Sequence, residues 1–444
     1  MRRFALPAAI AAGALLIAPV APAQDAPARP GLDAPELAAI GSFPVGVSDV
    51  EFVQPGQPDP LQGRNKPVIA DRHLPLKIWY PAAAPGGGTI YRSALPGEKG
   101  ADVPFAVRGI ATPGARAASG RFPLVVLAHG YSNTPEVLSW LGENLASKGY
   151  MVVAPAFRDP PITIRTAAAA AGPIARRPLD IVFVTAEAQR RARAGQAPFA
   201  TADADRTALI GYSMGGYGVL TAAGAPLAPG LAGATRGVLA PYAAGGPKAG
   251  ELRIANLKAV VAIAPASVMR GDAMWATPGV AAIRAPTLFI VGSQDKSVGY
   301  DPGVRTLWND EVNAPRYLLT FREAGHSIAL IGAPSEMRRS FFDLDWFEDA
   351  VWRKDRLMAI ETHFITAFLD RYVKDDRAKA AYLDGLVPNS NDGTWPGLPP
   401  GRHAEYSPGP PVATLWKGFQ PNKASGMSFE FKPAGDGSTP AARE

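Results

Sequence analysis

Thr207-Ala208-Leu209-Ile210-Gly211-Tyr212-Ser213-Met214-Gly215-Gly216-Tyr217 is the stretch from which the fold can be read. Its first four residues form an apolar, partly β-branched run that suits a buried strand, and Tyr217 to Ala223 suits a helix. Between them lies G-x-S-x-G, a sharp strand-to-helix turn that forces strained angles on its serine and needs glycines where strand and helix approach. Flanked in this way, the pentapeptide marks Ser213 as a candidate nucleophile at the N-terminus of a helix, where amide N–H groups favour developing negative charge.

Similar short apolar runs recur at 76–80, 122–128, 150–154, 259–264, 287–291 and 317–321, separated by Pro/Gly turns and helical patterns. Strand-helix-strand alternation of this kind requires a mainly parallel sheet with helices on both faces, so the fold class is α/β. Residues 178–194 begin with Pro178 at a plausible first helical position, and 353–373 carry the apolar stripe Leu357, Ile360, Phe364, Phe368 and Tyr372. Segments 163–177 and 222–257 are rich in Ala, Gly and Pro without a strong period and read as insertions or lid elements.

The ends of the chain differ in composition from its middle. Residues 1–23, with Arg2 and Arg3 ahead of an apolar run and Ala21-Pro22-Ala23 behind it, read as a secretory signal peptide. Residues 24–40 read as a flexible leader, 41–386 as the α/β domain with its insertions, and 387–444 as an irregular Pro/Gly-rich tail. The expected setting is periplasmic or secreted, with no stable membrane insertion after cleavage. With Cys 0 the chain has no thiol nucleophile, thiolate metal site or disulfide. A formal charge of +6, two units of it in the signal, with no Lys/Arg run or interleaved aromatics, gives no support for nucleic-acid binding. The oligomeric state is left open.

A serine that attacks an acyl group needs a base, and the chain has five histidines. His326, in Glu323-Ala324-Gly325-His326-Ser327 just after the run 317–321, sits on a loop leaving the last strand, where such a base belongs. His363 falls beside the apolar face of the C-terminal helix and reads as a packing residue, while His73 and His403 have weaker contexts still. The orienting acid should follow a strand between Ser213 and His326. Asp295, at the tip of Gly292-Ser293-Gln294-Asp295, fits, with Asp301 as fallback and Asp272 less suited.

Two backbone amides should hold the oxyanion: that of Met214, after the nucleophile, and that of Tyr131 in Ala128-His129-Gly130-Tyr131. His129 then reads as a hydrogen-bonding support beneath that loop. The Tyr131 ring and Trp275 are candidate substrate contacts, with Trp140 and Trp308 weaker ones. The acidic stretch 343–349 matches no calcium loop and reads as a solvated or capping cluster, so no metal is expected.

Taken together, 124–131, the elbow at Ser213, 286–295, Gly299 to Arg305 and Ala324-Gly325-His326 resemble the bacterial hydrolases called predicted dienelactone hydrolases, relatives of the platelet-activating-factor acetylhydrolases. The likeness covers roughly residues 41–375. It implies an α/β-hydrolase fold, the matched positions Ser213, Asp295 and His326, and neither metal nor organic cofactor. True dienelactone hydrolases use a cysteine nucleophile, which this chain lacks, and the Tyr131 and Met214 pair also resembles that of cutinases and polyester hydrolases. The expectation is an esterase that forms an acyl-enzyme on Ser213 and takes small-molecule or polymeric esters. A polyester hydrolase or peptidase on the same residues, and a non-catalytic binding protein of the same fold, are the rival readings.

Overall fold

The computed structural model describes residues 30–269, 271–393, 416–420 and 423–435. The signal peptide expected over residues 1–23, the start of the leader, His403 and much of the tail lie outside these described residues. Strands follow in the order β1 (Val45–Asp59), β2 (Val68–Pro81), β3 (Thr89–Pro96), β4 (Asp102–Gly109), β5 (Thr112–Pro113), β6 (Phe122–Ala128) and β7 (Met151–Pro155). After these come β8 (Ala202–Tyr212), β9 (Leu257–Ile263), β10 (Val268–Met269), β11 (Asp272–Ala273), β12 (Thr287–Gly292), β13 (Arg316–Phe321) and β14 (Met427–Lys432). The helices are α1 (Ser139–Ser147), α2 (Ala167–Arg193), α3 (Met214–Ala222), α4 (Leu231–Ala234), α5 (Arg305–Asp310), α6 (Phe341–Phe347) and α7 (Lys354–Tyr372).

One ten-stranded sheet runs β14-β13-β12-β9-β8-β6-β7-β2-β1-β5. Strands β7, β6, β8, β9, β12 and β13 are parallel, and β2 and β14 join antiparallel on either side. This is the α/β-hydrolase fold. Every apolar run read from the sequence is one of its strands.

Alternate residues of those strands serve two cores, which is why the runs are continuously apolar rather than alternating. Val125, Leu127, Ile210, Val261, Ile290 and Leu319 face α1 and α7, while Val126, Leu209, Val260, Phe289 and Leu318 face α2, α3 and α5. Among the described residues no helix is long and apolar enough to cross a membrane.

Five expectations change. Residues 163–177, read as an insertion or lid element, are mostly helical, since α2 starts at Ala167, capped by the Thr166 side chain, and runs 27 residues through Pro173 and Pro178. Pro178 is therefore interior, not at the first turn. It has no N–H to give the Ile174 carbonyl, and the Tyr217 hydroxyl donates to that carbonyl instead at 3.2 Å.

Segment 222–257 is not a lid. Its Leu227, Leu231, Val238, Leu239 and Leu252 pack with Ile174 and Ala175 of α2, and Arg236 donates to carbonyls of the β1–β2 connection. The described part of the leader packs on the domain: Ala38 is fully buried and the Leu37 N–H donates to His363 Nδ1 at 3.2 Å. The tail supplies an edge strand, β14, and Trp416, which is fully buried.

Candidate active site

Strand β8 ends at Tyr212, and Ser213 follows at φ 54°, ψ −115° as the residue before α3. Its N–H donates to the Ile263 carbonyl at 2.8 Å, so a bond to the neighbouring strand helps hold the strained turn. The glycines leave no room for side chains. A Cβ on Gly211 would lie 2.3 Å from the Gly215 carbonyl oxygen, and one on Gly215 would lie 2.2 Å from the Ala128 oxygen.

His326 and Asp295 stand on loops after β13 and β12, at the same end of the sheet. His326 Nε2 is 3.0 Å from Ser213 Oγ, and Nδ1 is 2.7 Å from Asp295 Oδ2. A carboxylate can only accept, so Nδ1 carries the proton and Nε2 presents its lone pair to the serine hydroxyl. Asp295 Oδ1 accepts the N–H groups of Ser297 and Val298 at 2.8 and 3.0 Å. Burial pushes the Asp295 carboxyl up, but the hydrogen bond and charge of His326, with those two amides, outweigh it and hold it below its ordinary value. Tyr212 stacks on the imidazole at 5.2 Å and donates its hydroxyl to the His326 carbonyl at 3.1 Å. Asp301 and Asp272 are exposed and take no part in this arrangement.

The Tyr131 and Met214 amides have no acceptor among the described residues, and both residues line the cleft with Ser213. His129 lies beneath them, fully buried. Its Nε2 accepts the Phe157 N–H at 3.2 Å and its Nδ1 donates to the Gly130 carbonyl at 2.7 Å.

The cleft holds about 450 Å³ and is walled by Tyr131, Ile162, Met214, Val268, Val298 and Trp346. Trp275 is not a substrate wall. Its indole N–H donates to Thr221 Oγ1 at 2.9 Å and its ring leans on Tyr217, which turns it into the core away from the cleft. Trp140 and Trp308 are buried, and Trp275 is half-buried.

The aromatic wall is instead Trp346, whose Nε1 donates to Asn133 Oδ1 at 3.1 Å and whose carbonyl accepts from Ser327 Oγ at 2.9 Å. It sits inside the acidic stretch, whose carboxylates act as caps and braces. Asp349 Oδ2 accepts the Gly325 N–H, and Glu348 accepts the Ala333 N–H. Nothing in the local spacing of charges marks this tryptophan as a cleft wall. Among the described residues no group of His, Asp and Glu side chains is placed to hold a metal ion.

The fold and this strand-end arrangement define the chain as an α/β-hydrolase. Residues 112–234, which include the Tyr131 loop and the Ser213 elbow, match the family model PETase: PET hydrolase-like. This agrees with the polyester-hydrolase side of the resemblance read from Tyr131 and Met214. Among solved structures, a ferulic acid esterase from Streptomyces cinnamoneus is similar at 20% identity and a TM-score of 0.49, over 77% of this chain and 94% of that one. No curated protein matches the chain.

Proposed function

We propose that this chain is a serine hydrolase of carboxylic esters, acting in the periplasm or outside the cell. The observation that carries the reading is the hydrogen-bonded series Ser213–His326–Asp295 at the strand ends, with two acceptor-free amides beside the serine. Ser213 Oγ attacks the acyl carbon as its proton passes to His326 Nε2. Ionised Asp295 stabilises the imidazolium, and the Tyr131 and Met214 N–H groups take the charge developing on the carbonyl oxygen. Collapse expels the alcohol, protonated by His326. Water, deprotonated by the same imidazole, then attacks the acyl-enzyme and releases the carboxylic acid and free serine.

The test is hydrolysis of p-nitrophenyl butyrate together with labelling by a fluorophosphonate. Both should be present in the wild type and absent in Ser213→Ala with an unchanged melting curve. Activity retained by Ser213→Ala refutes the assignment, and a wild type that neither turns over nor labels supports the non-catalytic reading.

A second reading, polyester hydrolysis on the same residues, is favoured by the match of 112–234 to the PET hydrolase-like model and by apolar side chains around the cleft. Val268, which lines it, is 55% exposed, and Phe341, on the helix that carries Trp346, is 81% exposed. Soluble monomers released from a polyester film would separate it from an enzyme confined to small esters.

A further inference from the structure

The carbonyl of Gly130 is turned into the protein. It accepts from His129 Nδ1 at 2.7 Å and from Arg177 Nη2 at 3.2 Å. Arg177 comes from the middle of α2 and is fully buried. The same Nη2 donates to Asp159 Oδ2 at 2.7 Å, and that oxygen also accepts the Ser132 N–H at 3.0 Å. The guanidinium lies 3.8 Å over the Phe157 ring. Gly218 of α3 makes way for it, since a Cβ there would meet Arg177 Cγ at 2.8 Å.

In a planar trans peptide the C=O and the following N–H point in opposite directions. Anchoring the Gly130 oxygen inward therefore aims the Tyr131 N–H outward. That peptide stands beside the nucleophile: a Cβ on Gly130 would lie 3.2 Å from Ser213 Cβ.

The arrangement is a poor way to gain stability. Arg177 Nε and Nη1 have no partner among the described residues, and a buried guanidinium left short of acceptors is costly. What the cation does accomplish is to clamp the two peptides that flank Tyr131, the first through the Gly130 carbonyl directly and the second through Asp159 to the Ser132 N–H.

We propose that Arg177 is a positioning residue for the oxyanion site, acting with Asp159 and His129 to hold the Gly130–Tyr131 peptide in the orientation that offers its N–H to the transition state. The proposal rests on the ester-hydrolase reading above. It predicts a defect in stabilising the tetrahedral state and little defect in ground-state binding.

The experiment compares wild type, Arg177→Met and Arg177→Lys in the full chain. It measures kcat and KM for p-nitrophenyl butyrate, and the inhibition constants of phenylboronic acid and butyrate. The boronate must become tetrahedral on Ser213 and place an oxygen in the oxyanion position. Butyrate reports ground-state occupancy of the cleft. In Arg177→Met, kcat should fall about 10- to 100-fold with KM within about two-fold, and boronate affinity should fall with kcat while butyrate affinity holds. Arg177→Lys, which keeps the charge and loses the fork, should lie between.

Unchanged kcat and boronate affinity in a cooperatively melting Arg177→Met overturn the clamp. So does a parallel loss of boronate and butyrate affinity, which marks general damage to the pocket. If Arg177→Met does not fold, Arg177→Lys decides by the same readouts, and wild-type values in it overturn the proposal. A wild type that fails to label with fluorophosphonate instead defeats the underlying reading.

Discussion

Asp349 Oδ2 accepts the backbone N–H of Gly325 at 2.7 Å, one residue before His326. Its other oxygen accepts the N–H groups of Val351 and Trp352 at 2.9 and 2.7 Å, so a single carboxylate ties the base-bearing loop to the start of the C-terminal region. Asp349→Ala should lower kcat about ten-fold through a misplaced imidazole, with KM little altered and the fold less stable by about 1–2 kcal/mol. Steady-state kinetics with a urea melt check this. A variant with unchanged kcat would show that the Tyr212 hydroxyl and the Asp295 bond suffice to hold His326.

Trp346 and Trp275 make opposite predictions. Trp346 stands in the cleft wall, held by Asn133 and Ser327, whereas Trp275 is turned into the core by Thr221. Trp346→Ala should reduce kcat/KM for bulky or aromatic acyl esters about ten-fold relative to acetate, the order expected for losing one apolar wall. Trp275→Ala should leave that ratio alone while lowering the melting temperature. An ester series of graded acyl size, run on both variants, would expose a wrong assignment of either ring.

The two tryptophans also show what a sequence discloses. The parallel strands were legible because a strand covered on both faces must be continuously apolar, and Ser213, Asp295 and His326 because each follows such a run. Trp275 and Trp346 have no such local mark, and their orientation depends on Thr221 and Asn133, which are distant in the chain. The first turns of α2 were obscured for a related reason. Pro178 is tolerated inside the helix with a tyrosine from α3 serving the carbonyl it cannot reach. In the tail, Met427, Phe429 and Phe431 alternate with polar residues as an edge strand should, but the surrounding Pro, Gly and Ser masked that period.

Acid stability should depend on His129 and His363. Burial pushes both down to about 3, assisted by the charge of Arg177 at His129 and of Lys148 at His363. In the unfolded chain each titrates near ~6.5. Between these values the unfolded chain binds protons that the folded chain does not. Stability is therefore fully present above pH ~6.5 and lost as the pH falls towards ~3, with a slope of up to about 1.4 kcal/mol per pH unit for each histidine. Urea unfolding between about pH 5 and about pH 6 reads the effect as a difference between wild type and variant, in which the opposite contribution of the buried Glu311 and Glu361 carboxyls, pushed up by burial, cancels. His363→Phe, placed among Phe364, Tyr382 and Phe419, should lower the slope there relative to wild type, by up to about 1.4 kcal/mol per pH unit. A slope equal to wild type would mean that His363 is protonated in the folded protein.

Trp416 makes the C-terminal segment part of the core. It is fully buried, packs edge-on against Phe364 of α7 at 5.8 Å, contacts Phe419 and Phe429, and donates its indole N–H to the Val387 carbonyl at 2.9 Å. Beyond it, β14 covers the edge of β13, with Phe429 stacked on Phe364 at 4.5 Å and Glu430 paired with Arg305 at 2.6 Å. Trp416→Ala should therefore cost about 3–5 kcal/mol, the range for deleting a large buried aromatic, and weaken the anchoring of the edge strand with it. Because Trp416 packs on α7 and does not line the Ser213 cleft, kcat of the folded fraction should stay at the wild-type value. Urea midpoints together with active-site titration separate the two effects. A stability loss below about 1 kcal/mol would show that the segment rests on a core already complete without it.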